Sequence, residues 1–425
     1  TGTNRPVRIL LDNGIPLIVR EDHRLPFVSL CVAIRGGVLA ETPANSGITR
    51  LAADLVVRGT TERTAEEIAR EIETRGASLE PFSGWNSFGL RGHCLTQDTR
   101  LLLATMIECL LTADFAEPEL QKQKALQLAA IRQREEDPMF LAQRALGPIL
   151  FGKHPYGRDL LGTSYSVASL TRDQVVQHYL KHFVTGNIAV ACFGDIATNA
   201  AVWFCSRAFA TVPPGSRPLT EGIAATPSIP NRIERMIPKE QAVLLMGFPG
   251  ISLTDPGYDA LRVLQDVMSG LSSDLAVEVR ETRGLAYYVG AYQRVGLEPG
   301  SFVFYAGTRP DAVATVEDLI RKQVSRIMGD GIRQDELDRA RNRLIAMHEM
   351  SLQSDLETAM NCALNELYGL GYDYGYGTAQ RLGTVTVDSI RKAAAGIFTE
   401  DRAAVSVVLP EQDVPGTAGS SKENR

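Results

Sequence analysis

Four groups of side chains in this sequence have types and spacings that could do chemistry. His178 and His182 stand one helical turn apart, the separation at which two imidazoles can share a metal ion, but no acidic residue is placed near them in Gln177 to Phe183. They read as solvated histidines on a helix leading into Asn187. Arg50 and Asp54 are also i,i+4 neighbours, opposite in charge, and read as an ion pair on a surface or interface worth a few tenths of a kcal/mol. Arg280 and Tyr287 flank a chain reversal at Gly284. A guanidinium and a phenol both donate hydrogen bonds and can stabilise negative charge on oxygen; the plainer alternative is that Arg280 pairs with a neighbouring Glu and Tyr287 packs. Six cysteines lie far apart without CxxC spacing, mostly in apolar segments, and read as buried thiols.

The elements that must position these groups follow from periodicity. Arg8–Leu11, Pro16–Arg20 and Phe27–Ile34 are strand-like runs bounded by Asn13-Gly14 and Pro26, which suits antiparallel pairing. Thr64 followed by Glu67 and closed by Gly76 marks a capped helix, and Leu101–Leu111 and Glu119–Arg134 keep helical spacing. The segment from Asp274 reads as a helix ending at Gly284, with Leu285–Val289 continuing as strand. Leu170-Thr-Arg-Asp-Gln-Val-Val and Val385-Thr-Val-Asp-Ser-Ile-Arg match at an offset of 215, which also aligns Gly162-Thr163 with Gly377-Thr378. Glu119 and Glu336 open a second matching pair, offset by 217.

The expectation is therefore an α+β protein of two homologous domains, each an antiparallel or mixed sheet covered by helices. Residues 1–212 form the first domain, 213–232 a proline-rich linker, 233–410 the second domain, and 411–425 a polar, disordered tail. At 425 residues and a net charge of −6 with both signs dispersed, the chain has no basic face for nucleic acid, and no stretch approaches the ~18 apolar residues of a membrane span. The start, Thr1 to Pro6, lacks Met and any apolar leader segment, which leaves a trimmed signal peptide or a truncated start as its readings.

Gly47–Thr60, His154-Pro-Tyr-Gly157, Asn187–Asp195 and Leu271–Tyr287 together resemble the pitrilysin/insulinase-type zinc peptidases, specifically the half-size members akin to mitochondrial processing peptidase subunits and their bacterial relatives. In that family an inverted HxxEH helix binds zinc through its histidines and activates water with its glutamate. The resemblance places Arg50 and Asp54 at the histidine positions and Ala53 at the general base. A third ligand about 76 residues further on falls on Ala130. A guanidinium cannot ligate a metal and a methyl group cannot move a proton. The resemblance also places Arg280 and Tyr287 on the family's arginine and tyrosine, which reach across to the zinc site and hold the substrate carbonyl.

The resemblance implies a zinc-free subunit of a heterodimeric metallopeptidase, with no cofactor of its own and zinc in its partner. That partner would be an HxxEH-containing homologous subunit closing with this one around a peptide substrate. The alternative is a purely structural subunit like the core proteins of mitochondrial ubiquinol–cytochrome c reductase. The substrate-recognising subunit of mitochondrial processing peptidase carries a glycine-rich loop, whereas Val267–Ser273 has one glycine. A bacterial, periplasmic protein is the expected setting, with the cytoplasm as alternative.

Overall fold

The computed structural model describes residues 5–219, 231–239, 241–270 and 273–411. Part of the proline-rich linker and the tail after Glu411 therefore lie outside the described residues.

The first half contains strands β1 (Val7–Leu10), β2 (Pro16–Glu21), β3 (Phe27–Arg35), β4 (Ser78–Ser83), β5 (Ser87–Leu95) and β6 (Ile188–Gly194). Its helices are α1 (Ile48–Val56), α2 (Ala65–Thr74), α3 (Thr99–Thr112), α4 (Glu117–Arg134), α5 (Pro138–Phe151), α6 (Ser164–Ser169), α7 (Arg172–His182) and α8 (Thr198–Ala208). The second half contains β7 (Arg232–Ile237), β8 (Ala242–Pro249), β9 (Ala286–Arg294), β10 (Ser301–Thr308) and β11 (Ala404–Pro410). Its helices are α9 (Tyr258–Ser269), α10 (Asp274–Ala276), α11 (Val313–Gly329), α12 (Gln334–Ser351), α13 (Asp355–Tyr368), α14 (Thr378–Gly383) and α15 (Val387–Ile397).

The strands form two mixed sheets, ordered β1-β2-β6-β3-β5-β4 and β7-β11-β8-β10-β9. In each, one parallel contact (β2 with β6, β7 with β11) joins an otherwise antiparallel set. Apart from β1 the two orders correspond strand for strand. The repeat in the sequence is thus a repeat of the fold. Thr171 and Thr386 cap α7 and α15 through the same reciprocal side-chain and backbone bonds, and α4 and α12 are displaced by 217 residues at both ends.

Helices of its own half cover one face of each sheet. The first core joins β2, β3 and β6 to α1, α3 and α7 through Leu17, Val32, Val190, Leu51 and Leu102; the second joins β8, β10 and β11 to α9, α11 and α15. The other face of each sheet is covered from the opposite half. α13 packs Ala359, Cys362, Ala363 and Leu367 onto Cys31, Ala33, Ala191 and Phe193 of the first sheet. α5 packs Leu146, Ile149 and Leu150 onto Val243, Leu245 and Val408 of the second. The small residues Cys31, Ala33 and Ala191 let α13 lie close. Gly247 does the same for α5, since a Cβ there would meet Leu150 at 2.7 Å. The two helices are repeat equivalents, again 217 residues apart, so the halves exchange them reciprocally. A polar contact adds to this joint: Tyr156 donates from its hydroxyl to Asn86 Oδ1, Arg294 Nη1 donates to Tyr156 O at 3.2 Å, and the Arg294 guanidinium lies 4.2 Å from the Trp85 ring centroid.

All six cysteines are buried free thiols. No helix among the described residues is long and apolar enough to cross a membrane.

Candidate functional site

α1 carries three of the four positions at which the resemblance aligns the zinc peptidases' ligands and general base. Gly47 precedes it in the left-handed region at φ 90°, and the buried carboxylate of Glu41 accepts from Gly47 N at 2.8 Å and Thr49 N at 3.0 Å, satisfying the free amides at its start. Burial pushes the Glu41 carboxyl up to about 7 against those two bonds. On the helix, Arg50 Nε donates to Asp54 Oδ2 at 2.6 Å. Asp54 is half-buried and its pKa is raised by that burial, with the Arg50 charge opposing. Ala53 is buried in the core. Ala130 packs with Leu128 beside Ile131, Leu161 and Val167. This donor set does not fit zinc: the one carboxylate is occupied by a guanidinium, and the other two positions are methyl groups. Among the described residues no three His, Cys, Asp or Glu side chains are grouped as a metal site.

His178 and His182 differ from the sequence expectation. Both are buried, with exposures of 7% and 3%, because the α7 face that carries them packs on α1 rather than on water. His178 Nε2 lies 3.0 Å from Thr49 Oγ1, His182 Nδ1 donates to His178 O at 2.7 Å, and the ring centroids are 4.6 Å apart. Burial drives the His178 pKa down to about 3 and lowers that of His182. They are neutral core residues, and His178 braces α1 through Thr49.

The second candidate region is the turn from Asp274 to Tyr287. Ser273 caps α10 by accepting from Ala276 N at 3.1 Å, and the chain then widens into a π-helical turn over Val277–Thr282 instead of the uniform helix expected. π-helical turns of this kind recur at functional positions. Gly284 reverses the chain at φ 60°, a left-handed conformation that suits glycine, and β9 comes next. The base of the turn is pinned by charge. Asp274 is held by Arg333, with Arg333 Nη2 donating to Oδ1 at 3.1 Å, and Arg326 is 3.8 Å away. Both arginines converge on Glu336, whose side chain is 1% exposed and accepts from both terminal nitrogens of Arg326 at 3.2 Å and from Arg333 N at 2.7 Å. The Arg333 contact lowers the Asp274 pKa.

On this anchored turn the arginines and tyrosines divide into engaged and unengaged. Arg283 grips Glu278 through Nε at 3.0 Å and Nη2 at 2.7 Å. The Tyr288 ring lies across Gly307, where a Cβ would meet it at 2.2 Å, and tilts toward Tyr305. Arg280, in contrast, has a 48% exposed side chain and, among the described residues, only a 3.7 Å ion pair with adjacent Glu281. Tyr287 is 56% exposed, and among the described residues its hydroxyl has no hydrogen-bond partner. The anchoring triad of Asp274, Arg333 and Glu336 escaped the sequence reading; only the match of Glu336 with Glu119 had singled out that helix.

Two family models match consecutive parts of this chain: the insulinase model of peptidase family M16 over residues 17–164, and the peptidase M16 inactive-domain model over residues 169–344. The chain belongs to peptidase family M16. It is 29% identical over 413 residues to a Streptomyces coelicolor protein named as an uncharacterized zinc protease, covering 96% of this chain and 90% of the relative. It is 24% identical to the uncharacterized zinc protease YmxG of Bacillus subtilis, covering 96% and 99%. The crystal structure of a peptidase M16 inactive domain from Pseudomonas fluorescens shares the fold with a TM-score of 0.87 at 22% identity, covering 96% of this chain and 98% of that one. Arg50, Ala53, Asp54 and Ala130 of this M16 chain lie in the part matched by the insulinase model; the Arg280–Tyr287 turn lies in the part matched by the inactive-domain model.

Proposed function

We propose that this M16 chain is the zinc-free subunit of a heterodimeric metallopeptidase and completes the active site of an HxxEH-bearing partner with Arg280 and Tyr287. The observation that carries the reading is the division on the turn: Arg283 and Tyr288 are spent on local contacts, while Arg280 and Tyr287 stand exposed and uncommitted on a pinned scaffold. In the closed heterodimer, the Arg280 guanidinium and the Tyr287 hydroxyl donate to the carbonyl oxygen of the bound peptide. These bonds strengthen as negative charge develops there. The chain supplies donors and one wall of a peptide chamber, the partner supplies metal and base, and the periplasm is the proposed compartment.

Two measurements test this. Metal analysis of the isolated chain purified with excess zinc is expected to find no stoichiometric metal, and peptide hydrolysis by the chain alone is expected to be absent. One tightly bound zinc per chain, with chelator-sensitive activity, overturns the proposal. In the reconstituted heterodimer, Tyr287→Phe with near-normal turnover would instead make the chain a scaffold, as in the core proteins of respiratory complexes.

A further inference from the structure

The sheet of the first half is longer than the helix laid across it. On one face of β3 the side chains of Phe27, Ser29, Cys31 and Ala33 follow one another, and α13 packs on Cys31 and Ala33 but begins only at Asp355. Phe27 and Ser29 lie at its N-terminal end. A cavity of about 630 Å³ opens there, lined also by Asp22, Arg24 and Leu25 of the β2–β3 connection and by Leu356 of α13. That volume is within the range of ligand sites. Leu25 is 66% and Phe27 43% exposed, so two large apolar side chains adjoin one cavity.

We infer that this cavity receives a neutral peptide segment carrying a large apolar side chain, as a recognition subsite that rests on the peptide-handling function proposed above. Its charges cancel where they stand. Both carboxylate oxygens of Asp22 accept from Arg24, whose Nε lies 2.8 and 3.0 Å from them, and Asp355 is paired with the buried Arg20. An anion entering here meets two carboxylates, and a cation finds both already engaged. The open groups on the floor are uncharged donors. The Ser29 hydroxyl has no partner among the described residues, although Ser29 is only 4% exposed and lines the cavity. A polar group so buried is ordinarily bonded, so this one points to an acceptor on a ligand. Directly across on β5 stands His93, whose Nδ1 lies 2.8 Å from Ser78 Oγ; that oxygen also accepts from His93 N at 3.3 Å, which directs its proton to Nδ1 and leaves Nε2 as a donor. The first-turn amides of α13 at Asp355 and Leu356 also have no acceptor among the described residues, since Ser354 Oγ serves Glu357 N. Donors and apolar side chains together match the two parts of a peptide residue: its carbonyl oxygen accepts from Ser29 and His93, and its side chain covers Leu25, Phe27 and Leu356.

The test titrates the full chain, its histidines labelled with ¹³C at Cε1, with N-acetyl-dileucine amide, its free acid, the unacetylated dileucine amide and N-acetyl-diglycine amide. The His93 signal is expected to shift saturably with the neutral dileucine, at least about tenfold more weakly with either charged form, and without saturation with the diglycine. Ser29→Ala is expected to weaken binding by about two- to tenfold. Leu356→Trp, or Leu25→Asp at its exposed position should the first variant not fold, is expected to abolish it. Absence of a saturable His93 shift with the neutral dileucine overturns the site. Equal affinity for the acid or the amine overturns the neutral assignment, equal affinity for the diglycine overturns the apolar one, and undiminished binding by a folded cavity variant overturns the location. Because the titration uses this chain without a zinc partner, it reads the cavity separately from any turnover that depends on Arg280 and Tyr287, and either reading can fail alone.

Discussion

The α1 helix and the Asp274–Tyr287 turn are the two regions in which the resemblance to zinc peptidases places reactive groups, and in this chain their side chains are arranged in opposite ways. On α1 the charged residues are turned inward on each other: Arg50 closes on Asp54, Ala53 faces the core, and His178 braces the helix from behind as a neutral ring. On the turn, the scaffold residues pair among themselves, while among the described residues Arg280 has only the 3.7 Å pair with Glu281 and the Tyr287 hydroxyl has no partner. A region kept only for folding is expected to satisfy its own polar groups. A region kept for recognition leaves donors unsatisfied and supports them from behind. The contrast supports the proposal that the turn carries the function, and it can be attacked experimentally from either side.

The largest effect is expected at the anchor. Glu336→Ala leaves Arg326 and the Asp274–Arg333 pair without the buried carboxylate on which they converge; breaking a buried pair by removing one partner costs about 3–5 kcal/mol. The measurement is the urea midpoint, with proteolysis at the turn as a local readout. A loss under about 1 kcal/mol would mean that the turn is not pinned from its base. Close behind comes Tyr287→Phe in the heterodimer, where removing one donor to a developing oxyanion costs about 10²–10³ in rate. The loss is expected in kcat/KM with dimer affinity and zinc content unchanged, and Arg280→Ala is expected to match or exceed it. Arg283→Ala and Tyr288→Phe, already engaged locally, are the milder controls.

On the other side of the comparison, acid should attack α1 through its brace. His178 titrates near 6.5 in the unfolded chain but at about 3 in the fold, so below pH 6.5 the unfolded state binds more protons and stability falls on acidification. Between pH 6.5 and 5 the loss from this residue is about 2 kcal/mol. Glu41, raised to about 7, works in the opposite sense: its contribution is full below about 4.5 and declines as pH rises toward 7. The two oppose each other in the whole protein. The difference in unfolding free energy between wild type and His178→Gln, followed from pH 7 to 5, isolates the histidine; a pH-independent difference would show that the ring is accessible to protons in the folded state.

Much of this was legible in the residues. The offset of 215 foretold the doubled fold because capping sequences such as Thr171–Gln174 and Thr386–Ser389 are local and survive translation to structure intact. That Arg50, Ala53, Asp54 and Ala130 make a poor donor set for zinc follows from their chemistry once the resemblance has placed them at those positions. The burial of His178 and His182 was not legible, since their own helix has polar residues on other faces and only the approach of Thr49 from α1 shows which face is covered. The exchange of α5 and α13 was equally hidden: an apolar helix face states that it must be covered but not by which half.

The smallest effect is expected at the Arg50–Asp54 pair of α1. The Arg50–Asp54 pair has an Arg50 side chain 42% exposed and an Asp54 side chain 19% exposed, so water and salt screen much of the attraction. Arg50→Ala alone strips the partner from a half-buried carboxylate whose pKa burial already raises, and is expected to cost more than the double change Arg50→Ala/Asp54→Ala, which removes both charges together. For the double variant the expected change is within about 0.5 kcal/mol in stability, and the heterodimer's turnover should be unaltered. That outcome would mark α1 as a closed structural element. If the double variant instead lowered kcat/KM as Tyr287→Phe does, while leaving the urea midpoint unmoved, then α1 would face substrate in the assembled chamber and both regions, rather than one, would serve the reaction.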